Sequence, residues 1–182
     1  LTPCGQFCSR CRKSSDLTGV IVAAHYEEGP IKEAIHTFKY EGVFDLVKDL
    51  SQILVSQIPK SKFNSKTILI PVPLHKKRRA QRGYNQTELL TNQISEHFEW
   101  QTINSKLIRI KQPKKTQVEL SGKARRENIK NCFSWIGQNE IQGKTVILVD
   151  DVYTTGATLE ECAKVLRQAG AHQIWGLVLA KV

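Results

Sequence analysis

The residues best suited to chemistry lie in one short segment, 146–158, with the sequence Val-Ile-Leu-Val-Asp-Asp-Val-Tyr-Thr-Thr-Gly-Ala-Thr. Its four leading apolar residues are typical of a buried strand, and two adjacent carboxylates, Asp150 and Asp151, follow where that strand is predicted to end. A threonine-rich turn and a helix with one apolar face come next. The first N–H groups of a helix favour a phosphate, and carboxylates accept hydrogen bonds from sugar hydroxyls or bind Mg²⁺. The segment therefore predicts a site for a ribose phosphate.

The same segment has a simpler interpretation, a buried strand that ends in an acidic turn exposed to solvent. The ligand site is favoured because Gly156 allows the backbone to approach a ligand closely and the threonine hydroxyls add hydrogen-bond donors. If the site is catalytic, we expect Asp150 and Asp151 to be its catalytic residues. The predicted ligand-binding residues are Asp150, Asp151, Val152, Tyr153, Thr154, Thr155, Gly156, Ala157 and Thr158.

A second group of candidate residues follows a predicted buried strand at 67–74. Six basic or imidazole side chains occupy eight positions from His75 to Arg82. Ligands of open α/β sheets bind beyond the carboxyl ends of the strands, so we expect Arg78 and Arg82 to contact phosphate or pyrophosphate. A solvated basic loop and a nucleic-acid patch are the alternatives for this block.

A third group lies in a long polar stretch, 111–130, which includes Lys114 and Lys115. Loops of this length inside a compact domain are usually functional. We predict a cationic lid that closes over pyrophosphate and excludes water, with Lys114 and Lys115 facing the ligand. An ordinary charged surface loop is the alternative.

The N-terminal segment carries a Cys-x-x-Cys pair, Cys8 and Cys11, with Cys4 just before it. Such a pair is half of a tetrahedral zinc site, so we predict Cys4, Cys8 and Cys11 as zinc ligands. A redox pair and surface thiols are the alternatives. Because the chain has five cysteines, an odd count, and shows no secretory signal, we expect a reducing, cytoplasmic environment.

Length and charge place limits on these assignments. The chain has 182 residues, 40% hydrophobic content and a net charge of +10, which suits one domain that binds phosphate-bearing ligands or nucleic acid. We expect a small zinc-knuckle remnant at 1–19 and the main domain at 20–182. No apolar stretch is long enough to predict a membrane span. The chain begins at Leu1 and contains no Met, so we expect a natural N-terminal segment to precede it.

The order of predicted elements indicates the fold class. Strands are predicted at 20–26, 67–74, 106–110, 133–136, 146–149 and 174–180. Helices are predicted from Pro30, from about Phe44, over 86–99 and after Thr158. Alternating strands and helices imply an α/β fold, a mostly parallel sheet with helices on both faces, plus the small cysteine knuckle.

Longer motifs resemble those of a known family. Residues 146–158 closely resemble the phosphoribosyl pyrophosphate (PRPP) signature of type I phosphoribosyltransferases. The Pro-Val-Pro-Leu-His block that runs on to Arg-Gly-Tyr-Asn-Gln, at 71–86, resembles the ComF (ComFC/GntX-like) family of competence proteins, as does Phe-Lys-Tyr-x-Gly at 38–42. The order of these motifs, including Lys-Lys-Thr-Gln at 114–117, is also that of the family. The resemblance covers nearly the whole chain.

This resemblance implies a type I phosphoribosyltransferase core that binds PRPP with Mg²⁺. It also implies a role in natural transformation, in which the protein handles incoming single-stranded DNA in the cytoplasm beside a helicase-like partner and other DNA-processing proteins. Members of the family usually carry two Cys-x-x-Cys pairs, whereas this chain has one complete pair. The departure concerns the zinc site and leaves the predicted fold unchanged.

Three functions remain open at this point. The first is a competence factor that binds PRPP and single-stranded DNA, and the second is a salvage phosphoribosyltransferase that transfers phosphoribose to a base. The third is a non-enzymatic DNA-binding adaptor that keeps the phosphate site as a relic. The sequence shows no aromatic cluster suited to reading a base, which favours the first and third. It leaves open whether the protein is an enzyme.

Overall fold

The computed structural model of the chain describes residues 5–9, 13–26, 29–111 and 127–182. These residues form a five-stranded parallel sheet with the strand order β1-β7-β6-β2-β3. The strands are β1 (Gly19–His25), β2 (Thr67–Pro71), β3 (Gln101–Thr102), β6 (Thr145–Tyr153) and β7 (Gln173–Lys181). A separate antiparallel pair consists of β4 (Leu107–Arg109) and β5 (Phe133–Trp135).

The helices of the described residues connect and cover these strands. They are α1 (Pro30–Tyr40), α2 (Leu46–Gln57), α3 (Lys76–Arg82), α4 (Gln86–Phe98) and α5 (Ala157–Gln168), with a short 3-10 turn at Lys60–Lys62. In the described ranges, none of the helices is both long and apolar enough to cross a membrane.

Two hydrophobic cores pack on the two faces of the sheet, and β6 separates them. Alternate side chains of a strand point to opposite faces, so Val146 and Leu148 enter the core beneath α5, whereas Ile147 and Val149 enter the core beneath α1, α2 and α4. All four side chains are fully buried. The predicted α/β class, a mostly parallel sheet with helices on both faces, is confirmed.

The central strand continues further than the sequence predicted. Asp150 and Asp151 were expected after the end of this strand, but β6 runs through both to Tyr153. Pairing with β2 ends at Val149, while pairing with β7 continues. The strand β6 extends this far because the neighbouring strand β7 is long enough to pair with its last residues.

The sequence predicts a cationic loop at the sheet edge for the basic block after β2, whereas the structure forms the helix α3 there. His75 caps its start by accepting a hydrogen bond from the backbone N–H of Lys77, at 3.3 Å. Gly83 ends it with a φ of 83°, a left-handed conformation that glycine adopts without strain. Because Arg78 and Arg82 are four residues apart, the helix places them on one face.

The N-terminal residues that the structure describes lie against the main domain. Phe7 packs on the core beneath α5, and its backbone N–H donates to the carbonyl of Thr18 at 3.1 Å. Cys8 is exposed. Cys4 and Cys11 lie outside the described residues, so the zinc site and the division into 1–19 and 20–182 stay predictions.

Leu148 provides a test of the role of β6 in this fold. Replacing it with Ala leaves a cavity in a fully buried position, and we expect the free energy of unfolding to fall by about 2–5 kcal/mol. Urea denaturation measures the change. Ile136→Ala is the control, because its side chain is 54% exposed and its loss changes stability by about 0.5 kcal/mol or less. Equal effects of the two substitutions would contradict the central position of β6.

Candidate functional site

A cavity of about 630 Å³ opens at the carboxyl ends of β2 and β6. The sheet opens here because Val72 makes the last hydrogen bond to β6, from its N–H to the carbonyl of Val149 at 2.9 Å. Pro73, the next residue, has no N–H to donate. The carbonyl of Val72 instead accepts the hydroxyl of Thr87 at 2.8 Å. The residues that line the cavity include Lys39, Tyr40, His75, Arg78, Arg82, Gln86, Arg109 and 150–159.

The two aspartates of β6 point to opposite faces of the sheet, and each has different neighbours. Asp151 shares a face with α1 and α4, and it is 7% exposed. Its two carboxylate oxygens are held separately: Lys39 Nζ lies 2.9 Å from Oδ1, and Gln86 Nε2 donates to Oδ2 at 2.6 Å. A buried charge needs such partners. Lys39 and Gln86 therefore fix this carboxylate at the cavity wall.

Asp150 lies on the other face, and its environment disfavours the ionised form. Loss of solvation raises its pKa from the usual 3.8 to about 7, and the charge of Asp151 acts in the same direction. The backbone N–H of Asp151 donates to Asp150 Oδ1 at 2.9 Å and partly opposes this shift. Within the described part of the chain, no cation lies within ion-pair distance of Asp150.

Arg109 reaches the same cavity from the small sheet. Its guanidinium carbon lies 5.2 Å from the centre of the Phe133 ring, a cation–π distance. Among the residues that the structure describes, Nε of Arg109 has no hydrogen-bond partner. Burial lowers the pKa of Arg109. The guanidinium is thus a positive group that lines the same cavity as Asp150 without forming an ion pair with it, and its Nε has no partner among the described residues.

The turn from β6 into α5 has the geometry of a phosphate site. Gly156 has a φ of 74°, and a side chain there would place its Cβ 2.5 Å from the hydroxyl of Tyr153. Thr155 Oγ1 accepts the N–H of Ala157 at 3.4 Å. The next N–H groups, at the start of a twelve-residue helix, have no partner within the helix and create a positive potential for an anion.

The helix α3 adds positive charge on the opposite side of the cavity. Arg78 and Arg82 both line it. The guanidinium of Arg82 lies 5.3 Å from the centre of the Tyr40 ring and also donates to the side chain of Gln86. Since Gln86 also donates to Asp151, Arg82 is connected to this aspartate through a single amide.

The structure therefore brings most of the predicted site residues to one cavity. Asp150, Asp151 and the residues 152–158 line it together with Arg78 and Arg82. Lys114 and Lys115 lie outside the described residues, so their part in the lid stays a prediction.

Sequence reasoning did not assign Lys39, Gln86 or Arg109 to the site. Lys39 and Gln86 belong to the two ComF-like motifs, which was the available signal for them. Arg109 is a lone cation in a short strand, and no pattern in the sequence distinguished it.

The carboxylates of this cavity that could hold a metal ion are those of Asp150 and Asp151. Mg²⁺ prefers oxygen ligands and is often held by one or two carboxylates plus phosphates of the substrate, which Asp150 and Asp151 would supply in this cavity. In the described ranges, no cluster of three or more His, Cys, Asp or Glu side chains could hold a metal ion.

Comparisons with known proteins agree with this geometry. The family model "Phosphoribosyl transferase domain" matches residues 80–181. Competence protein F of Haemophilus influenzae is 38% identical over 96% of this chain and 79% of its own length. The DNA utilization protein YhgH of Escherichia coli O157:H7 is 32% identical over 93% of this chain and 76% of its own length.

The chain belongs to the ComF family. Competence protein ComFC of Bacillus subtilis is a further relative, 31% identical over 77% of this chain and 55% of its own length. The family model begins inside α3 and includes the segment 146–158. The match to competence protein F extends over nearly the whole chain, so it also covers Lys39 and Arg78, which the phosphoribosyltransferase domain model does not reach.

The pKa of Asp150 gives this ComF protein a testable pH dependence. Between pH 3.8 and about 7 the unfolded chain has an ionised Asp150 while the folded chain keeps it protonated, so folding loses stability as pH rises through this window. Asp150→Asn removes the penalty. We expect the stability of the variant relative to wild type to increase from about pH 4 to 7 and to level off above 7.

Urea denaturation at a series of pH values measures this difference. Asp49→Asn, which removes an exposed carboxylate on α2, is the matched control. A constant difference between Asp150→Asn and wild type across the window would contradict the raised pKa.

Proposed function

We propose that this ComF protein binds PRPP with Mg²⁺ in the cavity at the end of β6 and acts in DNA uptake, where it handles single-stranded DNA in the cytoplasm. The observation that carries the PRPP part is one cavity that combines a helix-start phosphate turn, two carboxylates and two arginines. Its volume of about 630 Å³ falls within the range of about 300–1,000 Å³ typical of small-molecule sites.

Each part of PRPP has a chemical counterpart in the cavity. The turn 154–158 would bind the 5′-phosphate through the N–H groups of α5. Asp150 and Asp151 would accept the 2′- and 3′-hydroxyls of the ribose. Arg78 and Arg82 would pair with the pyrophosphate, since guanidinium groups bind phosphate oxygens in a bidentate manner. Mg²⁺, when bound, would neutralise charge on the pyrophosphate.

Three groups of the protein would change when the ligand enters. The proton on Asp150 would leave if its carboxylate contacts a cation, because a nearby positive charge favours the ionised form. Lys39 Nζ lies 2.9 Å from Asp151 Oδ1 and would share that oxygen with the ligand or move away. Arg109, with its unpaired Nε, would gain an anionic partner.

The DNA part of the proposal is supported by the relatives and by charge. Of the three relatives described above, one is named a DNA utilization protein and two are named competence proteins. The net charge of +10 favours a polyanion. A helicase and other DNA-processing proteins are the partners that we propose in the cell.

Transferase chemistry is a second candidate, favoured by the match to the phosphoribosyltransferase model. In such a reaction a nucleophilic acceptor would form a bond to the anomeric carbon of the ribose while the bond to pyrophosphate breaks. The arginines would stabilise the leaving pyrophosphate, and the protein itself would supply no covalent nucleophile. Release of pyrophosphate from PRPP in the presence of purine, pyrimidine or orotate acceptors tests this candidate.

Calorimetry with PRPP and Mg²⁺ tests the ligand. We expect wild type to bind and Asp150→Asn plus Asp151→Asn to weaken binding about 100-fold or more, because two charged contacts of about 1.5–3 kcal/mol each are lost. Asp45→Asn plus Asp49→Asn is the matched control, since it removes the same charge from exposed positions near α2. The proposal fails if wild type gives no heat or if the two double variants bind equally.

Transformation frequency tests the cellular role. In a naturally transformable strain that depends on this gene, we expect the paired substitution of Asp150 and Asp151 to reduce the number of transformants well below the wild-type level, because the proposed PRPP site loses both carboxylates. The Asp45 and Asp49 variant should transform like wild type. Unchanged transformation with normal protein levels would separate PRPP binding from DNA uptake.

A further inference from the structure

A second concave surface adjoins the main cavity where α1 ends and α3 passes beside it. Its volume is about 450 Å³. Four of its lining residues, Lys39, Tyr40, Arg78 and Arg82, also line the main cavity. The two hollows therefore form one continuous groove with a shared wall. The proposed PRPP site occupies the first hollow, and the second hollow has no ligand in that proposal.

Two exposed aromatic rings lie at or next to this second hollow. Tyr40 lines it, and Phe44 contacts Tyr84, which also lines it. Tyr40 is 68% exposed and Phe44 is 55% exposed. Phe44 has a firm support, because its ring lies 5.0 Å from that of Tyr84, and the Tyr84 hydroxyl is anchored to the carbonyl of Phe38. Exposed aromatic rings that the core does not use commonly mark a binding surface. Tyr40 lies beside His36, with ring centres 4.8 Å apart. Each ring therefore has an aromatic neighbour while most of its side chain stays exposed.

Arg78 and Arg82 line the hollow together with Tyr40, and Glu41 adds one carboxylate to the same lining. The guanidinium of Arg82 lies 5.3 Å from the centre of the Tyr40 ring, and Arg78 belongs to the wall of the same hollow. Arg79 already forms an ion pair with Glu88, in which Nη1 and Oε1 are 2.7 Å apart. For Arg78, the described residues offer no carboxylate within ion-pair distance. Its charge is available to a ligand from outside.

We propose that Tyr40 and Phe44, with Arg78 and Arg82 beside them, form the surface on which bases of single-stranded DNA stack. The inference rests on the proposed function and says where on the chain the DNA lies. Aromatic rings next to cations are the combination that binds single strands, because every base has a π-face and every nucleotide has a phosphate. In duplex DNA the phosphates are accessible but the base faces are stacked inside the helix. An acidic peptide would pair with the cations but would not stack on the two exposed rings.

Fluorescence anisotropy with a labelled oligothymidylate of about 15 nucleotides tests the surface. We expect Tyr40→Leu plus Phe44→Leu to weaken binding about tenfold or more, since both stacking rings are lost. Tyr40→Phe should bind like wild type, because it keeps the ring and removes only the hydroxyl. Ile136→Ala is the control for loss of an exposed apolar side chain outside both hollows, and circular dichroism verifies that all variants are folded.

The salt dependence of binding tests the cationic part. Between about 50 and 200 mM salt, Arg78→Ala should reduce the slope of log K against log salt by about 0.7, the value for one lost phosphate contact on a single strand. Lys48→Ala, which removes an exposed cation on α2, should leave the slope unchanged.

Each negative result would contradict a different part of the proposals. If wild type binds the oligonucleotide and the Tyr40 and Phe44 variant binds equally well, this surface is wrong while DNA handling stands. If wild type does not bind, the DNA part of the proposed function fails together with this surface. The PRPP part is decided separately by calorimetry.

Discussion

The structure depends on a single electrostatic constraint, two adjacent carboxylates at the centre of a parallel sheet. Neighbouring residues of a strand face opposite ways, so the sheet itself separates the two charges. Asp151 receives a lysine and an amide from the helices on its side. Asp150 receives no such ion pair among the described residues, and its pKa rises to about 7. One carboxylate is therefore held in place by a lysine and an amide, while the other has a raised pKa and a protonation state that a ligand can change.

The cavity that exposes these carboxylates exists because the ladder between β2 and β6 stops one residue after Pro71. The next carbonyl, of Val72, is satisfied by Thr87 and Asn85 at the start of α4, so the strand edge opens without leaving a buried acceptor unpaired. The same helix start carries Gln86, which reaches Asp151. The opening of the sheet and the anchoring of the acidic residue thus come from neighbouring positions of one helix.

Local patterns predicted the parts of the fold that depend on local physics. The apolar run Val146 to Val149 and the apolar face of α5 became buried as expected, because burial follows from side-chain type and periodicity. The extension of β6 through Asp150 did not follow from its own polar residues, since it depends on pairing with β7.

Contacts between segments that are far apart in the sequence could not be predicted from local patterns either. Lys39 and Gln86 meet Asp151 from positions 112 and 65 residues away in the chain, and only the tertiary structure brings them together. Arg109 arrives from a separate small sheet whose pairing the strand pattern did not reveal. The turn after β6 was predictable because its residues are consecutive and its chemistry is local, although α5 begins at Ala157 and so includes Ala157 and Thr158, which the sequence placed in the turn.

The wall shared by the two hollows has a thermodynamic consequence. Lys39, Tyr40, Arg78 and Arg82 face both, so a ligand in one hollow alters groups that a ligand in the other would contact. Such coupling is reciprocal: whatever factor PRPP applies to the affinity for DNA, DNA applies to the affinity for PRPP. Under the proposed assignments, the nucleotide metabolism of the cell and its handling of incoming DNA would be joined by the side chains of a single wall.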